Sequence, residues 1–185
     1  MKIKILIISL LFFQYSFSQY YGAKEYSKED ALFEAKEFLM NEVMGTNEND
    51  VGFNIIPLAA AKSGELTTLI YSCESKDLEG IILGFYGRYW NKEGVTYTGY
   101  GFKNLDRDHA IKFLNKITSS LENNSKFLKK DPDNNIIIFQ YEDIKVMLSK
   151  NLTSNKIRLF WKDYDSTWEE TAYGRTVNRF ARKLK

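Results

Sequence analysis

The sequence predicts an α+β fold, a curved and mainly antiparallel sheet with helices packed on one face, in the order α-ββββ-α-βββ-α. Three observations lead to this prediction. Residues 81–90 form a β-branched and aromatic run bounded by turn residues, which is typical of a well-covered strand. Residues 95–101 alternate in polarity after a short turn, which favours an antiparallel pair. Asp106 then supplies an acceptor side chain suited to the start of a helix.

Glycines interrupt both central strands, and a glycine inside a strand marks a bulge, a bend or a close approach by another group. We therefore expect strong curvature at glycines 84, 87, 99 and 101. The helix after Asp106 is expected to lie on this sheet. Its apolar stripe at helical spacing consists of Ala110, Leu114, Ile117 and Leu121.

The segment before the central pair predicts one helix and two strands. A capping-box-like start and apolar residues at helical spacing predict a helix over 28–44 that ends at Gly45. Strand segments follow at 51–61 and 66–73, separated by turn residues. Pro57 lies in the first of them and, because proline cannot donate to a ladder, indicates an edge position or a break.

The segment after the second helix predicts a connection, a hairpin and a strand. Residues 123–135 are polar and typical of a surface connection. Residues 136–141 and 144–148 flank two turn residues and favour a tight hairpin. One more strand is expected at 156–161.

The last helix is expected to begin at Asp165 or Ser166, because residues 166–169 fit a capping box. Its inward face at helical spacing comprises Trp168, Ala172, Tyr173, Val177, Phe180, Ala181 and Leu184.

Two short segments suggest an internal duplication. Residues 102–106 and 161–165 match in type, and each is expected to join the last strand of a meander to a long helix. Two related halves, 51–126 and 134–184, would follow from this match. The alternative is that an Asp after an apolar residue is a generic way to enter a helix.

The N-terminus predicts export. Lys2 and Lys4 precede the apolar stretch 5–13, and small residues up to Ser18 fit a signal-peptidase site, so we expect a signal peptide at 1–18. The mature chain, 19–185, is expected to form a single domain without a transmembrane segment. Abundant Lys, Ile, Asn and few Pro suggest an AT-rich bacterial genome. A periplasmic or secreted location is expected.

Charge and cysteine content exclude some classes of function. Removal of Lys2 and Lys4 takes the formal charge from +2 to zero, and a neutral domain lacks the basic surface that nucleic-acid binding needs. Cys73 is the sole cysteine, so an internal disulfide is impossible. Neither a metal site nor a cofactor is expected, because one cysteine and one histidine cannot form a structural zinc site and no phosphate-binding loop is present.

Catalytic side chains are sparse. Cys73 and His109 are the one conceivable thiol and base pair, but a buried thiol and an exposed first-turn histidine fit them better. Glu74, Asp77 and Glu79 surround an apparent turn, where carboxylates are mostly solvated. The sequence therefore favours a binding protein, with an enzyme as the alternative.

Two features predict binding surfaces. Aromatic rings of the central hairpin are candidates for stacking on a ligand, the alternative being that they fill the core or pair across strands. These residues are Tyr86, Tyr89, Trp90, Tyr97 and Tyr100. A basic C-terminal run is a candidate interaction surface, the alternative being that it complements its helix dipole. This run comprises Arg175, Arg179, Arg182 and Lys183.

These features together predict a small exported, non-catalytic binding or interaction domain of the bacterial cell envelope. Its partner would be a protein, a glycan or a lipid. The alternative function is a secreted or periplasmic hydrolase that acts on an envelope or extracellular polymer.

Overall fold

The computed structural model describes residues 28–45, 48–90 and 96–183. The predicted signal peptide at 1–18, its cleavage after Ser18 and Leu184 of the last helix lie outside this part. The α+β class with antiparallel strands is confirmed. The elements are α1 (Lys28–Phe38), β1 (Asn54–Ala60), β2 (Leu66–Cys73), β3 (Leu78–Trp90), β4 (Thr96–Asp106), α2 (Arg107–Asn123), α3 (Ser125–Lys130), β5 (Ile137–Tyr141), β6 (Ile144–Lys150), β7 (Asn155–Trp161), β8 (Tyr164–Glu169) and α4 (Glu170–Lys183).

The strands divide between two sheets rather than forming one. β1 to β4 form the first sheet and β5 to β8 the second, each in sequence order and each antiparallel throughout. Each sheet is therefore a simple meander whose neighbouring strands are joined by short connections.

The start of the last helix was predicted too early. Residues 164–169 form the additional strand β8, and α4 begins at Glu170. Tyr164, Ser166 and Trp168 are buried while Asp165 is exposed, which is the period of a strand. The backbone of this segment forms its hydrogen bonds with β7, so Ser166 does not cap a helix as the capping-box pattern predicts.

The first helix and its end agree with the prediction. α1 continues into a π-helical segment, Leu39–Met44, and Gly45 follows with a φ of 65°. That positive φ lies in the region that glycine adopts at little cost.

Pro57 lies on an edge strand, as predicted, because β1 is the first strand of its sheet. The register with β2 also shifts between Pro57 and Ala59. An edge position and a bulge are the two places where a sheet tolerates proline.

Helices cover both faces of the first sheet, which corrects the prediction of one face. Alternate residues of β2 face opposite ways: Ile70 packs in the core shared with the second sheet, α2 and α4. Leu69 packs in a second cluster with Ala35 of α1 and Leu39. The first sheet is thus the middle layer, with α1 on its outer face.

Two of the four predicted glycines, Gly84 and Gly101, mark a close approach, whereas a Cβ at Gly87 would make an ordinary contact at 3.8 Å. The β3–β4 register runs without a shift, so no bulge forms there. A Cβ built at Gly101 would lie 2.8 Å from Cζ of the Tyr164 ring, and one at Gly84 would lie 3.1 Å from the Phe102 ring. Each glycine leaves room for an aromatic ring that packs on the strand.

The connection 123–135 contains a helix that was not predicted. α3 has six residues and buries only Leu128, so its pattern is too short for a helical period to be recognised.

The structure repeats a four-stranded meander followed by a helix, but the matching segments do not occupy equivalent places. Asp106 ends β4 and caps α2, whereas Asp165 lies inside β8. The proposed sequence match is therefore wrong as a strand-to-helix junction, and a duplication stays a prediction at the level of topology.

Candidate functional site

A cleft of about 540 Å³ lies where α1, β1 and α4 meet. Apolar walls come from Leu32 of α1 and from residues 57–61 of β1 and its following turn. Clefts that hold small molecules typically measure about 300–1,000 Å³ and combine apolar walls with a few polar groups. The volume and composition of this cleft fall in that class.

Two guanidinium groups of α4 line the cleft. Arg175 and Arg179 are four residues apart, so they lie on the same side of the helix. Arg179 donates through Nη1 to the backbone oxygen of Leu58. Arg175 is exposed and has neither an ion pair nor a hydrogen bond within the described ranges. Arg179 thus fastens α4 to β1, while Arg175 has its donors available.

Buried threonines hold α4 in position beside the cleft. The hydroxyls of Thr68 in β2 and Thr176 in α4 are 2.7 Å apart. Each hydroxyl has one proton, so one threonine donates to the other, and the one that accepts donates in turn to a carbonyl. That carbonyl is the Ala172 oxygen, 3.0 Å from Thr176, or the Ala59 oxygen, 3.2 Å from Thr68. Because both hydroxyls are satisfied in a buried place, the helix has little freedom to slide along the sheet.

The charge of the cleft is positive. Lys62, Arg175 and Arg179 line it together with a single carboxylate, Glu29. The backbone N–H of Lys62 donates to Oε2 of Glu169 at 3.2 Å, which ties the turn after β1 to the second sheet. Three cations against one anion next to apolar walls suit a ligand with an anionic head and an apolar body.

Among the predicted basic residues, only Arg175 and Arg179 line this cleft. Arg182 donates to the Asn178 oxygen of its own helix at 3.2 Å, and Lys183 is exposed near the helix end. Lys62 and Glu29 were not predicted as site residues. Neither carries a local signal, since one lies in a turn and the other on an exposed helix surface.

Tyr86 and Tyr100 form a cross-strand ring pair, with centroids 4.8 Å apart. Tyr100 also stacks on Phe102 at 6.0 Å, and Phe102 contacts Phe38 of α1 at 5.6 Å. This row connects the hairpin to α1 by the cross-strand pairing that was the alternative, and a ligand-binding role for these two tyrosines stays a prediction. Of the other three predicted aromatics the structure describes only the backbone, and their role stays a prediction: Tyr89, Trp90 and Tyr97.

His109 belongs to an ionic cluster at the start of α2. Its Nδ1 lies 2.7 Å from Oδ2 of Asp106, and its Nε2 lies 3.6 Å from Oε1 of Glu142. Both ring nitrogens therefore face carboxylates. A catalytic histidine needs one nitrogen directed at a nucleophile or a substrate, so this arrangement fits a link between α2 and the β5–β6 turn.

Lys103 extends the same cluster. Its Nζ lies 2.9 Å from Glu142 and 2.8 Å from Asp143, and Trp161 donates to Asp143 at 2.8 Å. Burial raises the pKa of Asp143, but the hydrogen bonds from Lys103 and Trp161 outweigh it and bring the pKa below its ordinary value. The lowered pKa favours the carboxylate form of Asp143, which the Lys103 ammonium and the Trp161 N–H hold in place.

Cys73 is buried, with 1% of its surface exposed, in the cluster under α1. The side chain of His109 is 47% exposed, and its contacts are the carboxylates described above. A buried thiol and an exposed histidine, the interpretation favoured from the sequence, are confirmed.

Within the described residues, no three Cys, His, Asp or Glu side chains are grouped so that they could hold a metal ion. None of the described helices is both long and apolar enough to cross a bilayer. Comparison with protein families, with curated proteins and with solved structures gives no match for this chain.

Proposed function

We propose that the protein is a small exported, non-catalytic binding protein of the bacterial cell envelope, and that its cleft takes an amphiphilic anion. The ligand has a carboxylate or phosphate head and an apolar chain. The observation that carries this proposal is the exposed guanidinium of Arg175, which has no partner within the described ranges and lies beside apolar walls.

The chemistry of the cleft supports binding rather than turnover. A guanidinium forms paired hydrogen bonds with a carboxylate or phosphate, and these are among the stronger polar contacts. Catalysis of hydrolysis would need two convergent carboxylates or a nucleophile next to a base. The described lining has one carboxylate, Glu29, and one hydroxyl, Thr67, whose strand position is buried.

Thermal unfolding with a ligand panel tests the proposal. Decanoate and decyl phosphate are compared with methyl decanoate, which has no charge. A bound anion at a hundred times its dissociation constant adds about 2.7 kcal/mol of stability. We expect both anions to raise the melting temperature and the ester to leave it unchanged; which anion acts more strongly identifies the head group.

Substitutions locate the site. Loss of a charge-assisted contact is worth about 1.5–3 kcal/mol, so Arg175→Gln is expected to weaken the dissociation constant by roughly ten- to a hundredfold. Arg182→Gln is the matched control, because Arg182 lies on the same helix outside the cleft. The proposal is wrong if neither anion shifts the melting temperature, or if both substitutions have the same effect. Turnover of an envelope polymer would instead support the hydrolase.

A further inference from the structure

We propose that one end of the second sheet docks on an anionic lipid surface. This surface, the lysine-rich end, is separate from the cleft and does not depend on the function proposed for it. It consists of Lys126, Phe127, Lys129, Lys130, Ile136, Ile138 and Leu152.

The lysine-rich end exposes large apolar side chains. Leu152 is 87% exposed in the turn between β6 and β7, and Ile138 is 73% exposed on β5. Phe127 and Ile136 are also exposed, so four of the six exposed large hydrophobics of the described residues lie here. Exposed apolar side chains that cluster in one place mark an interaction site.

The members of this surface are joined by hydrogen bonds. Asn135 donates to the Phe127 oxygen at 2.6 Å, which holds α3 against the start of β5. The backbone N–H of Asp133 donates to the Lys150 oxygen at 2.7 Å, which holds the same segment against the end of β6. α3 and the β6–β7 turn therefore flank the first residues of β5.

Ile138 faces away from the core. Its neighbours Ile137 and Phe139 pack against the core, and successive residues of a strand point to opposite faces. Ile136 has the same parity as Ile138. Both isoleucines thus lie on the outer side of the strand that α3 and the β6–β7 turn flank.

The charge of this end is positive. Lys126, Lys129 and Lys130 form no side-chain ion pair within the described part of the chain. Of the nearby acids, Asp133 pairs with Lys156 at 2.7 Å, and Asp131 accepts from Asn134 at 3.0 Å. These three lysines stand against Asp131, the one acid of residues 123–135 that forms no ion pair, so the surface is complementary to an anionic one.

The type of cation favours a lipid over a protein. Protein interfaces are enriched in arginine and aromatic residues and depleted in lysine. Lysines around protruding Phe, Leu and Ile side chains are instead typical of interfacial binding, in which the apolar groups enter the acyl boundary and the cations meet anionic head groups. Lys126, Phe127 and Leu152 combine both features within one short helix and one turn.

Vesicle co-sedimentation of residues 19–185, the expected mature chain, tests the proposal. Vesicles of phosphatidylcholine alone are compared with vesicles of equal parts phosphatidylcholine and phosphatidylglycerol. Each lysine near an anionic bilayer raises the partition coefficient about fivefold. Substitution of three lysines is therefore expected to lower it roughly a hundredfold. The variant carries Lys126→Gln, Lys129→Gln and Lys130→Gln. Leu152→Ser is expected to weaken it about tenfold.

A charge-matched control substitutes three exposed lysines elsewhere: Lys36→Gln, Lys112→Gln and Lys183→Gln. All variants carry the same N-terminus, so its contribution is constant, and their melting temperatures should equal that of the parent chain. The proposal is overturned if the parent binds both vesicles equally or neither, or if the control triple loses as much binding. Tight binding to polyglutamate that Leu152→Ser leaves unchanged would overturn it in favour of an acidic protein partner.

Discussion

The contact between Tyr164 and Gly101 shows how single residues join the two sheets. The Tyr164 ring lies on β4 where Gly101 offers no side chain. It is also packed against Phe85, at 6.0 Å between centroids, and against Trp161, at 6.1 Å. With neighbours on several sides, the ring has no room to shift.

Gly101→Ala is therefore expected to destabilise the protein. The new methyl group would meet the Tyr164 ring, and overpacking of a filled site typically costs about 1–3 kcal/mol. Gly174→Ala is the control, since a Cβ there meets nothing within 4 Å. Gly174 lies inside α4, so this change should stabilise by about 0.5–1 kcal/mol. Urea unfolding measures both, and equal effects would contradict the packing argument.

Residue types predicted that a residue makes a certain kind of contact, but not which group it contacts. Gly101 indicated a close approach, and Arg175 indicated an interaction surface. Neither residue identifies the group that meets it, because Tyr164 and the apolar walls of the cleft come from distant parts of the chain.

Helix starts show the limits of local signals at the scale of elements. Asp106 caps α2 as predicted, since its Oδ1 accepts from the His109 N–H at 2.9 Å. Asp165 was one of the two residues at which the last helix was predicted to begin. It instead forms a two-point ion pair with Arg158 of β7, with both distances 2.5 Å. A residue suited to capping forms a cap only when the residues after it do not form a strand.

The cap at Asp106 predicts a pH dependence. The His109 backbone N–H, and then the His109 ring, hold the pKa of Asp106 below its ordinary value. A lowered carboxyl pKa contributes stability that is present above the unfolded pKa of about 3.9 and is lost as pH falls through the folded value. Asp106→Ala should cost about 1 kcal/mol at neutral pH.

The difference in the free energy of unfolding between the parent chain and Asp106→Ala should therefore shrink as the pH is lowered below about 4. Asp106→Asn is the control, because asparagine caps as well as aspartate without a charge. It should keep most of the stability at neutral pH, and its free energy of unfolding should differ from that of Asp106→Ala by a constant amount over this range, since neither variant has the carboxylate. Denaturation at several pH values measures the effect, and a constant difference for Asp106→Ala would exclude the carboxylate as its cause.

At the scale of the whole molecule, the two meanders share one core. A single cluster contains residues of both sheets together with α2 and α4, for example Ile81 of β3 and Ile157 of β7. Polar contacts also cross between the sheets, since the Thr167 N–H donates to Oε2 of Glu65 at 2.9 Å. The sheets should accordingly lose their structure together.

We expect unfolding to be a single cooperative transition. Ile81→Val and Ile157→Val remove one methylene each from buried sites in different sheets and should each cost about 0.5–1.5 kcal/mol. In a shared core, either change shifts the same transition when far-ultraviolet and near-ultraviolet circular dichroism are followed together. Two transitions, each sensitive to only one substitution, would divide 19–185 into two domains.

Local sequence patterns were enough to predict the α+β class, the order of the first four strands, the cap at Asp106 and the edge position of Pro57. These features depend on residues within a few positions of one another, where propensity, capping and alternation act directly. The tertiary structure decided the division into two sheets, strand β8 and the cleft. Their contacts join distant positions, such as Arg179 with Leu58 at a separation of 121 and Thr68 with Thr176 at 108. Local patterns carry no information on such pairs, because strand pairing and packing are selected by the burial of the whole chain.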